Sequence, residues 1–237
     1  MKKTLLTILL AALATMMFAG QPYFRATWVS TVANIDFPTK AAIGNYDQQK
    51  QDMVAMLDSF QAMHLNAIVF QVRPTADALY ASELEPWSAW LTGKQGEAAT
   101  YDPLEFVCQE AHKRGIELHV WVNPFRVTSS GVLDTTDLVW KNAGQWIIKY
   151  NNSSFQGQII DPGYPEARNY VHNVCMEIIN NYDIDGIVMD DYFYAYGGTY
   201  SEDATSKALY KPANVKDVDK DGTTDDDWRR ANVDSVI

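Results

Sequence analysis

Two aspartates, Asp190 and Asp191, stand side by side where a short apolar run, Ile187-Val188-Met189, gives way to Tyr192, Phe193 and Tyr194. Adjacent carboxylates repel one another and cost free energy to desolvate, so a pair at the end of a buried strand needs a reason. Side chains alternate along a strand, which sends one of the two toward a barrel mouth and its neighbour toward the helix layer. Two acidic groups near an apolar rim can in general be driven to different protonation states, one kept as an acid while the other is an anion. Glycoside cleavage uses that set: a proton donor for the leaving oxygen and a second carboxylate as nucleophile or base. Asp161, behind the run QII (158–160), and Asp77, behind AIVFQV (67–72), complete the catalytic candidates. For Asp161 the alternative is plain turn chemistry, because Asp-Pro-Gly is a common turn sequence.

Polar and aromatic residues near the same strand ends are candidates for holding sugar. Asn123 in VNPFR (122–126) can take a hydroxyl or orient a carboxylate, and Arg126 can pair with one. Equally, Asn123 can cap its own loop and Arg126 can make a structural ion pair. In VRPTADALY (72–80), Arg73 and Asp77 either face the cleft or tie their own loop together. Tyr192, Tyr194, Trp87 and Trp90 offer flat faces on which sugar C–H groups pack, although most of the seven Trp and thirteen Tyr belong in the core.

Elements able to position these residues alternate along the chain. RATWVSTV (25–32), AIVFQV (67–72), ELHVWV (117–122), QII (158–160) and GIVMD (186–190) read as buried strands. Helical patterns lie between them, at 47–63, from Asp102, at 136–149 and from Pro165 to about Tyr182. Asp102 is an N-cap with Pro103 at the first helical position and Glu105 completing a capping box. About five βα units without a hairpin signal predict an α/β fold with a parallel sheet. No G-x-G-x-x-G follows the first strand, and polar residues gather at every strand end, so the expectation is a (β/α)8 TIM barrel. Such barrels take typically ~250 residues, which implies one truncated at its C-terminal side to about five units.

Composition sets further bounds. Met1-Lys2-Lys3, the uncharged run from Thr4 to Phe18, and Ala19-Gly20 predict a signal peptide over 1–20. That leaves a barrel domain over 21–237, secreted or periplasmic, with no stable membrane insertion. The formal charge of −11 argues against nucleic acid. Cys108 and Cys175 make no disulfide framework, and His64, His112, His119 and His172 show no metal-site spacing. No cofactor is required. In DVDKDGTTDDD (217–227), however, Asp217, Asp219 and Asp221 alternate before Gly222 like the first half of a calcium loop, with Asp225 and Asp227 as later oxygens. Trp228 at the twelfth position excludes an EF-hand, and a solvated acidic loop is the alternative.

DGIVMDDY resembles the D-G-x-D-x-D-x-E strand of family-18 chitinases, but Val188 and Tyr192 stand at two of its acidic positions, so that mechanism is not supported. A broader resemblance lies in FRATWVSTVANIDFP (24–38), FQVRPTADALY (70–80), EPWSAWLTGKQG (85–96), YDPLEF (101–106), EAHKRGIELHVWVNPFR (110–126), DPGYPEARNY (161–170), DGIVMDDYFY (185–194) and DWRRANVD (227–234). Together these are similar to the glycosyl-hydrolase-like 10 family. The resemblance implies an exported (β/α)8 barrel that hydrolyses glycosidic bonds and, for a divisome-localised member, glycan strands of peptidoglycan stripped of stem peptides. The Asp-rich stretch at 212–227 falls outside the pattern and reads as a loop insertion. The alternative function is a non-catalytic carbohydrate-binding barrel of the cell envelope, with a metal-dependent deacetylase third.

Overall fold

The computed structural model describes residues 23–128, 138–151, 156–190, 193–194 and 201–237. The predicted signal segment, Asp191 and Tyr192 lie outside the described residues.

Four strands form a parallel sheet: β1 (Ala26–Val29), β2 (Ala67–Arg73), β3 (Glu117–Val122) and, directly beside β3, a strand at Gly186–Met189. Between them the chain runs through α1 (Tyr46–Ala62), the short α2 (Ala89–Thr92), α3 (Pro103–His112) and, before the fourth strand, a long helix over Pro165–Asn181. The α/β class with a parallel sheet is therefore as expected.

Alternation along the strands assigns their faces. Val29, Ile68, Phe70, Val72, Leu118, Val120 and Val122 are buried in one cluster with Met53 and Leu57 of α1 and Leu104 and Val107 of α3. Ile187 and Met189 pack against the same cluster. The opposite, concave face carries Trp28, Val69, Gln71, His119, Trp121, Gly186 and Val188. On it Phe24 meets His119 edge-on at 5.1 Å between ring centroids, and Trp28 meets Trp121 at 4.9 Å. Trp28 remains 50% exposed, as an inward residue of an open half-barrel must.

Helix α3 shows how the sequence fixes its ends. The Asp102 carboxylate accepts from the Glu105 N–H at 3.1 Å and Pro103 takes the first turn, while Gly115 leaves the helix at φ 68°. Asp102 also accepts from the Ala81 N–H at 2.9 Å and the Tyr182 hydroxyl at 2.6 Å, tying the loop after β2 to the long helix.

The expected helix over 136–149 and the fourth parallel strand at 158–160 are corrected. After β4 (Arg126–Thr128), the described part of the expected helix is α-helical over Leu138–Ala143, here α4, and no further. The chain then passes through a 3-10 turn into β5 (Ile147–Asn151), which pairs antiparallel with β6 (Gln156–Ile160). β4 joins the other edge of β6, giving a separate three-stranded sheet. The β-branched Ile147-Ile148 pair at the start of β5 carries this preference. The long helix is thus α5 and the Gly186–Met189 strand β7, fourth rather than fifth in the parallel sheet. Two further helices, α6 (Ala204–Tyr210) and α7 (Asp225–Asp234), follow. Cys108 of α3 and Cys175 of α5 are free thiols within one core cluster, because their helices flank neighbouring strands. No helix among the described residues is long and apolar enough to cross a membrane.

Candidate active site at the strand ends

The concave-face series Ser30, Gln71, Asn123 and Asp190 places one polar residue at the C-terminal end of each parallel strand. Asp190 follows from the alternation that sends Ile187 and Met189 outward. It is exposed, and its carboxylate accepts no hydrogen bond from the described residues. Its backbone, in contrast, is clamped: the N–H donates to the Val122 carbonyl at 3.2 Å and the carbonyl accepts from Asn123 Nδ2 at 2.6 Å.

Asn123 and Arg73, expected as sugar-holding candidates, are both fully buried and bonded to protein groups, in line with the structural alternative for each. Asn123 Oδ1 accepts from Gln71 Nε2 at 2.6 Å, so both ends of its amide are occupied. Arg73 pairs with the buried Glu85 through Nε at 2.7 Å and through Nη2, and its Nη1 donates to the carbonyls of Asn123 and Pro124. The Tyr170 hydroxyl of α5 donates to the same Glu85 at 3.1 Å. Arg73 thereby sets the path of the chain leaving β3. Arg126 is likewise buried, and its Nη1 reaches the Pro74 carbonyl at 3.4 Å.

The two supporting carboxyls are also enclosed. Asp77 accepts from Thr75 Oγ1 at 2.8 Å, and burial pushes its carboxyl up to about 6 against the opposing effect of Thr75 and Ser88. Asp161 is raised to about 6 by burial as well, with Ser206 and the Gly163 N–H at 2.8 Å pulling the other way. It belongs to a second polar centre, in which Arg229 of α7 grips buried Asp203 with Nε at 2.6 Å and Nη2 at 3.0 Å. Burial also pushes the Tyr194 hydroxyl up beside this centre, and a cavity of about 410 Å³ opens between Phe193, Tyr194 and the α7 residues Arg229, Arg230 and Val233. Trp87 and Trp90 are half-buried: Trp87 packs on the main core, and the Trp90 carbonyl accepts from Asn34 Nδ2 at 2.8 Å.

In the acidic segment, Asp217, Asp219 and Asp221 each bring a carboxylate oxygen within 4.8 Å of the others. Asp225 does not join them. It is held by Lys207 at 2.7 Å and by Lys211, and these contacts bring its carboxyl down to about 2. Asp219 is shared with Arg230 at 2.7 Å.

Sequence reasoning passed over Gln71, Glu85, Asp203 and Arg229. Only Gln71 carried a signal, as the one amide inside the apolar strand AIVFQVR; the others declare themselves through partners distant in the chain.

A parallel α/β half-barrel with an accessible carboxylate at its strand ends has the architecture of glycosidase barrels. The chain belongs to the family described as Glycosyl hydrolase-like 10, which it matches over residues 23–237. It is 38% identical over 225 residues to glycosyl hydrolase YngK of Bacillus subtilis, covering 90% of this chain and 40% of that protein. To glycosyl hydrolase DigH of Escherichia coli K12 it is 32% identical over 242 residues, covering 94% and 52% respectively. The chain thus spans about half the length, or less, of these relatives. Among solved structures, α-L-fucosidase isoenzyme 2 from Paenibacillus thiaminolyticus shares the fold, with a TM-score of 0.55 at 17% identity, over 90% of this chain and 28% of that one.

Proposed function

We propose that the chain belongs to an exported glycoside hydrolase acting on a bacterial cell-wall glycan, with Asp190 as an essential carboxylate. The observation that carries this reading is the contrast at the strand ends. Among the described residues there, Gln71, Arg73 and Asn123 are buried and spent on protein partners, whereas Asp190 is exposed with a fixed backbone and an uncommitted carboxylate. Family membership supports glycosidic chemistry, and the charged-then-apolar N-terminus supports export. A carboxylate at a barrel mouth can stabilise the oxocarbenium-like transition state or move the proton of the leaving oxygen. Asp191 is the adjacent second candidate. In this role Asp77 and Asp161 support the site from within rather than touching the glycan. The carboxylates of Asp217, Asp219 and Asp221 would hold a structural calcium ion, for which an all-oxygen set is the suitable chemistry.

The test is hydrolysis of glycan strands stripped of stem peptides by the full chain and by Asp190→Asn and Asp191→Asn. Loss of ~10³-fold or more in kcat/KM for at least one variant is expected, on the scale of removing a group that acts in the transition state. Full activity in both would overturn the assignment, and binding without product would favour a carbohydrate-binding barrel.

A further inference from the structure

Two buried amides connect the four parallel strands at their C-terminal ends. Gln71 Oε1 accepts from the backbone N–H groups of Thr31 at 2.8 Å and Val32 at 2.9 Å, and from Ser30 Oγ at 3.2 Å. Gln71 Nε2 donates to Asn123 Oδ1, and Asn123 Nδ2 donates to the Asp190 carbonyl, both at 2.6 Å. Neither side chain is exposed. The two ends are backbone groups of opposite polarity, N–H beside β1 and C=O after β7. An amide offers one acceptor and one donor end, so only one orientation of each satisfies the whole chain of contacts. Turning either around sets oxygen against oxygen inside a buried site, where an unmade hydrogen bond is costly.

We infer that Gln71, acting through Asn123, is a positioning residue for Asp190: a one-directional amide relay from the Thr31–Val32 backbone to the Asp190 carbonyl that fixes where the Asp190 carboxylate stands. The inference rests on the reading of Asp190 as a site carboxylate. Asp190 is the end of its strand and its side chain is exposed, so the Asn123 contact and the Val122 carbonyl are what hold its peptide against the sheet.

Directionality supplies a test that simple loss of packing does not mimic. In Gln71→Glu the ionised carboxylate still accepts from Thr31 and Val32 but cannot donate to Asn123. Once protonated, the acid O–H donates again and the relay re-forms. Asn123→Asp has the same property toward the Asp190 carbonyl, whereas Gln71→Ala loses both functions at every pH. Hydrogen exchange of the 185–190 segment in the full chain, taken relative to the parent at each pH, reads the relay directly. The expected result is exchange faster by about tenfold or more near pH 8 in Gln71→Glu and Asn123→Asp, converging on the parent toward pH 5, and a pH-independent acceleration in Gln71→Ala. On stripped glycan strands kcat should fall ~10–100-fold with KM nearly unchanged, and recover over the same pH range. Parent-like exchange in Gln71→Glu at pH 8, or an acceleration that acidification does not reverse, overturns the relay. Asp190→Asn separates the two ideas: if it hydrolyses like the parent, the reading of Asp190 fails, while the exchange measurement still decides the relay.

Discussion

Arg73 and Glu85 face one another through a two-pronged ion pair, Nε to Oε2 at 2.7 Å and Nη2 to Oε1, and neither side chain reaches solvent. Such a pair contributes little net stability against an apolar replacement, since desolvation offsets its attraction. Breaking it is different. Glu85→Ala strands a guanidinium among the Asn123 and Pro124 carbonyls and frees the Tyr170 hydroxyl, with an expected cost of about 3–5 kcal/mol. Chemical denaturation with an unchanged slope would report it. A loss under about 1 kcal/mol would mean that the carbonyls alone satisfy Arg73.

A second relationship lies lower on the concave face, where Gly186 passes beneath an imidazole. A Cβ on residue 186 would stand 2.4 Å from His119 Nδ1. Gly186→Ala must therefore displace the ring from Phe24, at an expected cost of about 1–3 kcal/mol. His119→Ala in the same chain should recover most of that loss, and a double-mutant cycle with no coupling would show that the strand moves instead of the ring.

These two cases show where the sequence was legible. The continuous apolar runs at AIVFQVR and ELHVWV announced strands buried on the parallel-sheet pattern, with Arg73 and Asn123 at their C-terminal ends. Their commitments were hidden, because Arg73 meets Glu85 across a loop and Asn123 meets Asp190 some 67 residues away. A guanidinium at a strand end reads the same whether it binds a ligand or a carbonyl. The β5–β6 hairpin was missed for a local reason. Val139, Ala143 and Trp146 give helical spacing that overlaps the start of the Ile147-Ile148 strand, and periodicity alone does not divide such a segment.

Calcium binding should divide the acidic segment in two. Calorimetry at millimolar calcium is expected to show binding that Asp217→Asn or Asp221→Asn weakens at least about tenfold, as loss of one charged oxygen ligand does. Asp225→Asn should leave that affinity unchanged, because Asp225 is already bound to Lys207 and Lys211. Absence of heat in the parent would reduce the segment to a solvated acidic loop.

The pH dependence of stability follows from the two enclosed carboxyls. Burial raises both Asp77 and Asp161 to about 6, above the ~3.9 of an aspartate in an unfolded chain. Between those values the folded protein holds protons that the unfolded chain has released, so stability falls as pH rises from about 4 through about 6, then levels. The stabilisation is fully present below pH ~4 and lost above the folded pKa, opposite in sign to that of Asp225, whose lysine contacts weaken only when its own carboxyl is protonated. At ~1.4 kcal/mol per unit, each enclosed carboxyl contributes on the order of 2–3 kcal/mol across the window. Asp77→Asn keeps the size of the side chain and can still accept from Thr75 through its amide oxygen. Its unfolding free energy, measured by denaturant from pH 4 to 7, should therefore fall less steeply than the parent's, with the two curves closest at the acid end. Parallel curves would mean that Asp77 is ionised throughout and neutralised by a partner other than solvent protons.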